Sequence, residues 1–152
     1  MKKIDIAAAP VVVGSKYPSP HDAPCQARRR QSLGDAGGLT TFGVNRLTLP
    51  PGAWSSQRHW HSHEDEFTWV LHGEVVLVTD AGEEIMRAGD CAAFKAGDPD
   101  GHHFINRSAA DAVLLEVGGR DPARDACDYP DIDMVAWAGE EGYRRRDGTE
   151  YR

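Results

Sequence analysis

Few cysteines, no long apolar run and no excess of basic residues set the outer limits on this 152-residue chain. Its three cysteines, Cys25, Cys91 and Cys127, are odd in number and lack paired zinc-ribbon spacing, which argues against a disulfide framework and for reduced thiols in the cytoplasm. The apolar start from Ile4 to Val13 is broken by Asp5 and Pro10, and no clear cleavage site follows. We therefore expect no secretory leader, and no other stretch approaches membrane-spanning length. Lys and Arg number 17 against 24 Asp and Glu, a formal charge of −7, so a nucleic-acid surface is not expected. The local runs Arg28-Arg29-Arg30 and Arg144-Arg145-Arg146 read as solvated faces rather than anion sites. Amphipathic stretches of useful helical length are also missing.

What the chain has in quantity is punctuation, with 16 Gly and 9 Pro. Pro10, Pro18, Pro20, Pro24 and then Gly34, Gly37 and Gly38 mark residues 1–38 as an irregular arm laid over the domain. From Leu39 the pattern changes to short strand-like segments, at 39–49, 57–61, 66–71, 74–79, 83–86, 90–94, 102–106 and 112–117. Turn signals such as Pro50-Pro51-Gly52, Gly73, Asp80-Ala81-Gly82 and Gly97 to Gly101 separate them. Many short strands joined by Gly and Pro predict an all-β domain over residues 39–118, a small antiparallel barrel or double-sheet jelly roll, followed by an extension over 119–152.

The chemistry concentrates in two clusters. His59-Trp60-His61 is followed by Glu66 and Gly73, and Gly89 leads to His102 and Asn106. Strand alternation with period two puts His59 and His61 on one face, and imidazoles with a carboxylate suit a mid-row divalent ion. The same parity, with Glu66 inward, sends Thr68 and Val70 inward and leaves Phe67, Trp69 and Leu71 as an apolar outer face. Either a second subunit, the N-terminal arm or both cover that face, or a bulge shifts the parity and the rings are core.

The segment Gly52 to Glu66, containing His59-Trp60-His61 and ending in Val70-Leu71-His72-Gly73, resembles the first motif of the cupin superfamily. Gly89-Asp90-Cys91-Ala92-Ala93-Phe94-Lys95-Ala96-Gly97, continuing to His102 and Asn106, resembles the second. The first spacer is one residue longer than usual, Lys95 stands where proline is usual, and two extra residues precede His102. Both His102 and His103 are therefore candidates for the last ligand; His102 is preferred for its four-residue distance to Asn106. Tyr129-Pro130-Asp131-Ile132-Asp133-Met134 and Asp147-Gly148-Thr149 resemble the C-terminal extension of a single-domain bacterial subgroup, some of whose members are labelled as sugar-phosphate isomerases.

The resemblance implies a cupin double-stranded β-helix, a jelly-roll barrel with irregular arms at both ends. It also implies one divalent metal ion, Zn, Fe, Mn or Ni, bound by His59, His61, Glu66 and His102, with Glu64 as a reserve carboxylate. Such an ion retains positive charge and open positions for substrate oxygens. The expected function is action on, or binding of, a small oxygen-rich metabolite, isomerase-like if catalytic. Two alternatives stand beside it: a non-catalytic sensor cupin and a metal-dependent dioxygenase. A homodimer is expected, no catalytic acid or base is assigned, and Trp54, Trp60 and Asn106 are given packing or backbone-bonding roles.

Overall fold

The structure is a computed structural model describing residues 3–151. Its strands are β1 (Val12–Val13), β2 (Arg29–Ser32), β3 (Phe42–Leu49), β4 (Trp60–His61), β5 (Glu66–His72), β6 (Glu74–Thr79), β7 (Gly82–Arg87), β8 (Cys91–Phe94), β9 (His103–Ile105), β10 (Ala112–Gly119), β11 (Cys127–Tyr129) and β12 (Met134–Ala136). The longest α-helix among the described residues, α1, is one turn, Leu33–Ala36. Six strands form one sheet in the order β1-β2-β3-β10-β5-β8, and β7-β6-β9 form a second. Every pairing is antiparallel. This is the jelly-roll arrangement expected from the spacing of turns.

The core lies between these sheets. Leu47 and Leu49 of β3, Val70 of β5, Val75 of β6, Phe104 of β9 and Leu114 of β10 are nearly or wholly excluded from solvent. Each such side chain stabilises the fold by about 1.5–3 kcal/mol relative to an exposed one, as an upper bound. Gly73 joins β5 to β6 at φ +78°, and a Cβ there would stand 2.8 Å from the Asp111 carbonyl oxygen. Both the left-handed backbone and the close approach require glycine at this motif position. Asn106 is fully buried. Its amide donates to the carbonyls of Leu49 and Ala110, and its oxygen accepts from Ser108, so it ties the end of β3 to the turn before β10.

Strand parity along β5 is as expected: Thr68 and Val70 are buried, whereas Phe67, Trp69 and Leu71 are 36–45% exposed. The register shift in this pairing falls at Val113/Leu114 and leaves the β5 alternation intact. The N-terminal arm does not cover these rings. Instead it lengthens the sheet, because β2 pairs with β3 and β1 with β2. The run of four prolines hid these strands, which lie between and after the breaks that proline imposes. In the C-terminal extension β12 and β11 form a small third sheet with β4. Its buried residues Cys127, Tyr129 and Met134 pack against Tyr17 and Tyr143, so the two flanks of the chain meet beside His59.

Candidate metal centre

The two motif clusters are joined backbone to backbone at their histidines. The His102 N–H donates to the His59 carbonyl (2.8 Å), and the His59 N–H donates to the His102 carbonyl (3.2 Å). This isolated bridge fixes the two imidazoles side by side, with ring centroids 4.9 Å apart. His61 lies two residues on, and its ring stands edge-on to His59 at 5.1 Å. Glu66 begins β5 and is paired with Gly118 on one side and Phe94 on the other. Phe94 stacks flat on His102, with centroids 3.5 Å apart and planes within 3°.

Three imidazoles converge on one carboxylate oxygen. The Nε2 atoms of His102, His59 and His61 stand 2.9, 3.6 and 3.7 Å from Oε2 of Glu66. That oxygen is buried and, despite its short approach to His102, has no hydrogen bond of acceptable geometry among the described residues. The tautomers are set from behind. Nδ1–H of His59 donates to the Gln57 carbonyl at 2.8 Å, and Nδ1–H of His61 donates to Asp125 at 2.6 Å. A carbonyl and a carboxylate can only accept, so the Nε2 atoms of His59 and His61 are left with free lone pairs directed at the common point. The donor set and the orphaned oxygen fit a divalent cation.

The electrostatics agree with a carboxylate ready for a cation. Burial alone would raise the Glu66 pKa, but the close approach of the His102 and His59 rings, with His61 beside them, holds it well below the usual carboxylate range. Burial depresses His102, whose ring is held neutral. Burial also works against the charged form of His59, but Glu66 and the Gln57 carbonyl outweigh it and the net direction is upward.

The side chains group in three overlapping ways that can hold a metal ion. His59, Glu66 and His102 have ligand atoms within 4.8 Å of one another; His61 instead groups with His59 and Cys127, and with Glu64 and Asp125. His59 is thus shared by the Glu66 and Cys127 sets, and His61 by the Cys127 and Asp125 sets. Glu64 accepts from the Asp121 N–H and holds the start of the C-terminal extension. His103 points elsewhere. Its Nδ1–H donates to the Ser56 carbonyl and its ring packs edge-on against Trp54 at 4.6 Å. Trp60 borders the opening, a cavity of about 280 Å³ that also includes Lys95 and Asp100.

Sequence reasoning missed Asp125, Cys127, Glu116 and the tyrosines from the flanks. Glu116 alone left a readable trace, as a charge in inward phase with Ala112 and Leu114 on an otherwise apolar strand. Asp125 and Cys127 reach the site through the pairing of β11 with β4, sixty or more residues away along the chain.

The cupin domain model matches residues 45–118. A sugar phosphate isomerase from Silicibacter pomeroyi, of the cupin superfamily, is 47% identical over 97% of this chain and 95% of its own, with a TM-score of 0.92. The chain belongs to the cupin superfamily. A second similar structure, a proposed sugar phosphate isomerase from Acidithiobacillus ferrooxidans, is 28% identical to this cupin over 82% of the chain and 80% of its own, with a TM-score of 0.72. A polyketide cyclase from Streptomyces resistomycificus shares the fold at 19% identity over 78% and 79% of the two chains, with a TM-score of 0.63. No curated protein matches the sequence.

Proposed function

We propose that this cupin is a metal-dependent enzyme of the sugar-phosphate isomerase type, acting on a small oxygen-rich metabolite through one divalent ion held by His59, His61, Glu66 and His102. The observation that carries the reading is the convergence of three Nε2 atoms on the unpartnered buried Oε2 of Glu66. The neighbour named a sugar phosphate isomerase, similar over nearly the whole chain, supports the substrate class. When bound, the ion supplies Lewis acidity toward a carbonyl or hydroxyl oxygen. The chain's own residues do the rest. Gln57 and Asp125 hold the His59 and His61 imidazoles in the correct tautomer, Phe94 fixes the His102 ring, and Glu116 is a half-buried carboxyl able to hold a proton beside the site.

The exposed apolar side chains of Phe67, Trp69 and Leu71 support a homodimer with this face between subunits. Three free cysteines, two of them buried, support a cytoplasmic protein. No helix among the described residues is long and apolar enough to cross a membrane.

The test is elemental analysis of the purified protein together with solvent-deuterium incorporation at the α-carbon of an aldose or ketose phosphate, with oxygen uptake monitored. Bound metal and exchange without oxygen uptake are expected. His61→Ala should lose most of its metal while the barrel keeps its circular dichroism spectrum. Full metal content in that variant, or oxygen consumption in place of exchange, overturns the reading.

A further inference from the structure

The three arginines of the Arg28-Arg29-Arg30 run have different fates. Arg28 donates to the carbonyls of Gly14 and Ser55, and Arg29 pairs with Asp111 at 2.6 Å on the surface. Arg30 makes neither a hydrogen bond nor an ion pair among the described residues, and its Nε is buried. Register explains where it goes. Arg30 pairs with the buried Leu47, and directly opposed residues of an antiparallel pair share a face, so its guanidinium enters the barrel. Only Arg29 fits the solvated face expected of the run.

Arg30 lines a second cavity, of about 330 Å³, beside the metal centre. His61, Glu64 and Glu66 line both cavities, so two of the candidate ligands and the reserve carboxylate form the shared wall. The next row inward is polar from strand to strand. Asn45 of β3 pairs with Glu116 of β10, which pairs with Thr68 of β5. Space exists because Gly43 and Gly118, which are paired with each other, occupy the row of Glu66. Glu64 and Glu66 add carboxylates at the wall shared with the metal centre, and Arg120 adds a second cation. Around Arg30, by contrast, a planar cation with unused donors stands among an amide, a hydroxyl and a carboxyl, the chemistry of a site for an oxyanion.

We propose that Arg30, flanked by Asn45 and Glu116, binds the anionic end of the substrate, a phosphate or carboxylate, while the other end of the molecule faces His61 and Glu66. The inference rests on the reading of the chain as a metal-dependent enzyme of the sugar-phosphate isomerase type, and it assigns the residues that hold the anionic end of that substrate. Glu116 lines the same recess, and burial, and secondarily Glu66, push its pKa up to about 7, so near neutral pH it is only partly ionised. In its protonated form it adds an O–H donor to the recess.

Dihydroxyacetone, dihydroxyacetone phosphate and hydroxypyruvate share a hydroxyketone and differ in bearing no anion, a phosphate or a carboxylate. Calorimetry of the metal-loaded protein should show at least one anionic member binding ten-fold or more tighter than dihydroxyacetone. Arg30→Gln should weaken that anionic ligand by about 10–100-fold, leave dihydroxyacetone binding unchanged, and keep the wild-type metal content. Arg30→Lys, which keeps the charge but not the fork, should fall between and serves if the glutamine variant does not fold. The larger loss tells phosphate from carboxylate. Equal affinities for charged and neutral ligands, or Arg30 variants that bind the anions as wild type does, overturn the proposal. Inorganic phosphate titrated into chelator-treated protein keeps the two readings apart. Arg30-dependent phosphate binding in a protein that takes up no metal sinks the metal-dependent reading and leaves the anion site standing.

Discussion

The carboxylate of Asp125 stands 2.6 Å from Nδ1 of His61, and its other oxygen accepts the N–H of His63 at 2.8 Å. One residue of the C-terminal extension therefore sets both the tautomer of a candidate ligand and the backbone beside it. Its side chain is only 8% exposed, so the contact is a fixed element of the site rather than a surface pairing.

Asp125→Asn keeps the shape and one acceptor oxygen but removes the charge that makes His61 a stronger donor to a cation. Partners of this kind change metal affinity by about 10–100-fold. We expect a loss of that size in a competition titration against a chromophoric chelator, together with a lower melting temperature of the metal-free protein, because the amide nitrogen replaces one of two accepting oxygens. Unchanged affinity would show that His61 does not need Asp125.

The site was only half legible in the sequence, and the division has a physical cause. His59 and His61 are two residues apart, and period-two alternation is a local property, so their common face could be read directly, whereas Glu66, on the next strand, followed from the motif spacing. His102 followed from its spacing to Asn106, although the two side chains do different work. His102 faces Glu66, whereas Asn106 ties carbonyls at the far end of the barrel. Arg30, Asp125 and Cys127 depend on pairings across long loops, β2 with β3 and β11 with β4, which no local pattern encodes. The same holds for the flanks. Prolines between residues 10 and 24 obscured two strands whose partners lie elsewhere in the chain.

Gly73 offers a test of the fold independent of any metal. With φ at +78° and the Asp111 carbonyl 2.8 Å from where a Cβ would sit, alanine is strained in its own backbone and collides with a neighbouring one. The dihedral strain alone costs about 1–3 kcal/mol. For a chain of this length each kcal/mol lowers Tm by roughly 2–4 °C. Gly73→Ala should therefore melt about 5–10 °C lower by calorimetry in the metal-free state. A melting temperature within a degree of wild type would mean that the β5–β6 turn does not have this geometry.

Glu116 predicts a pH dependence whose sign is the reverse of the usual carboxylate. Burial, and secondarily the nearby Glu66 carboxylate, push its pKa up to about 7 from an ordinary 4.5, against the opposing pull of Arg28, Arg30 and His59. The folded protein therefore keeps a proton that the unfolded chain releases. The stability due to that proton is complete below about pH 4.5 and is lost as pH rises through about 7. With allowance for partial solvent access, the loss between pH 5 and 8 is on the order of 2 kcal/mol. Glu116→Gln cannot titrate. In urea unfolding of chelator-treated protein it should differ little from wild type at pH 5 and be the more stable of the two at pH 8. Subtracting the two curves cancels the other ionisable groups. Parallel curves from pH 5 to 8 would place the titration of Glu116 outside this range and remove it as a proton carrier near neutral pH.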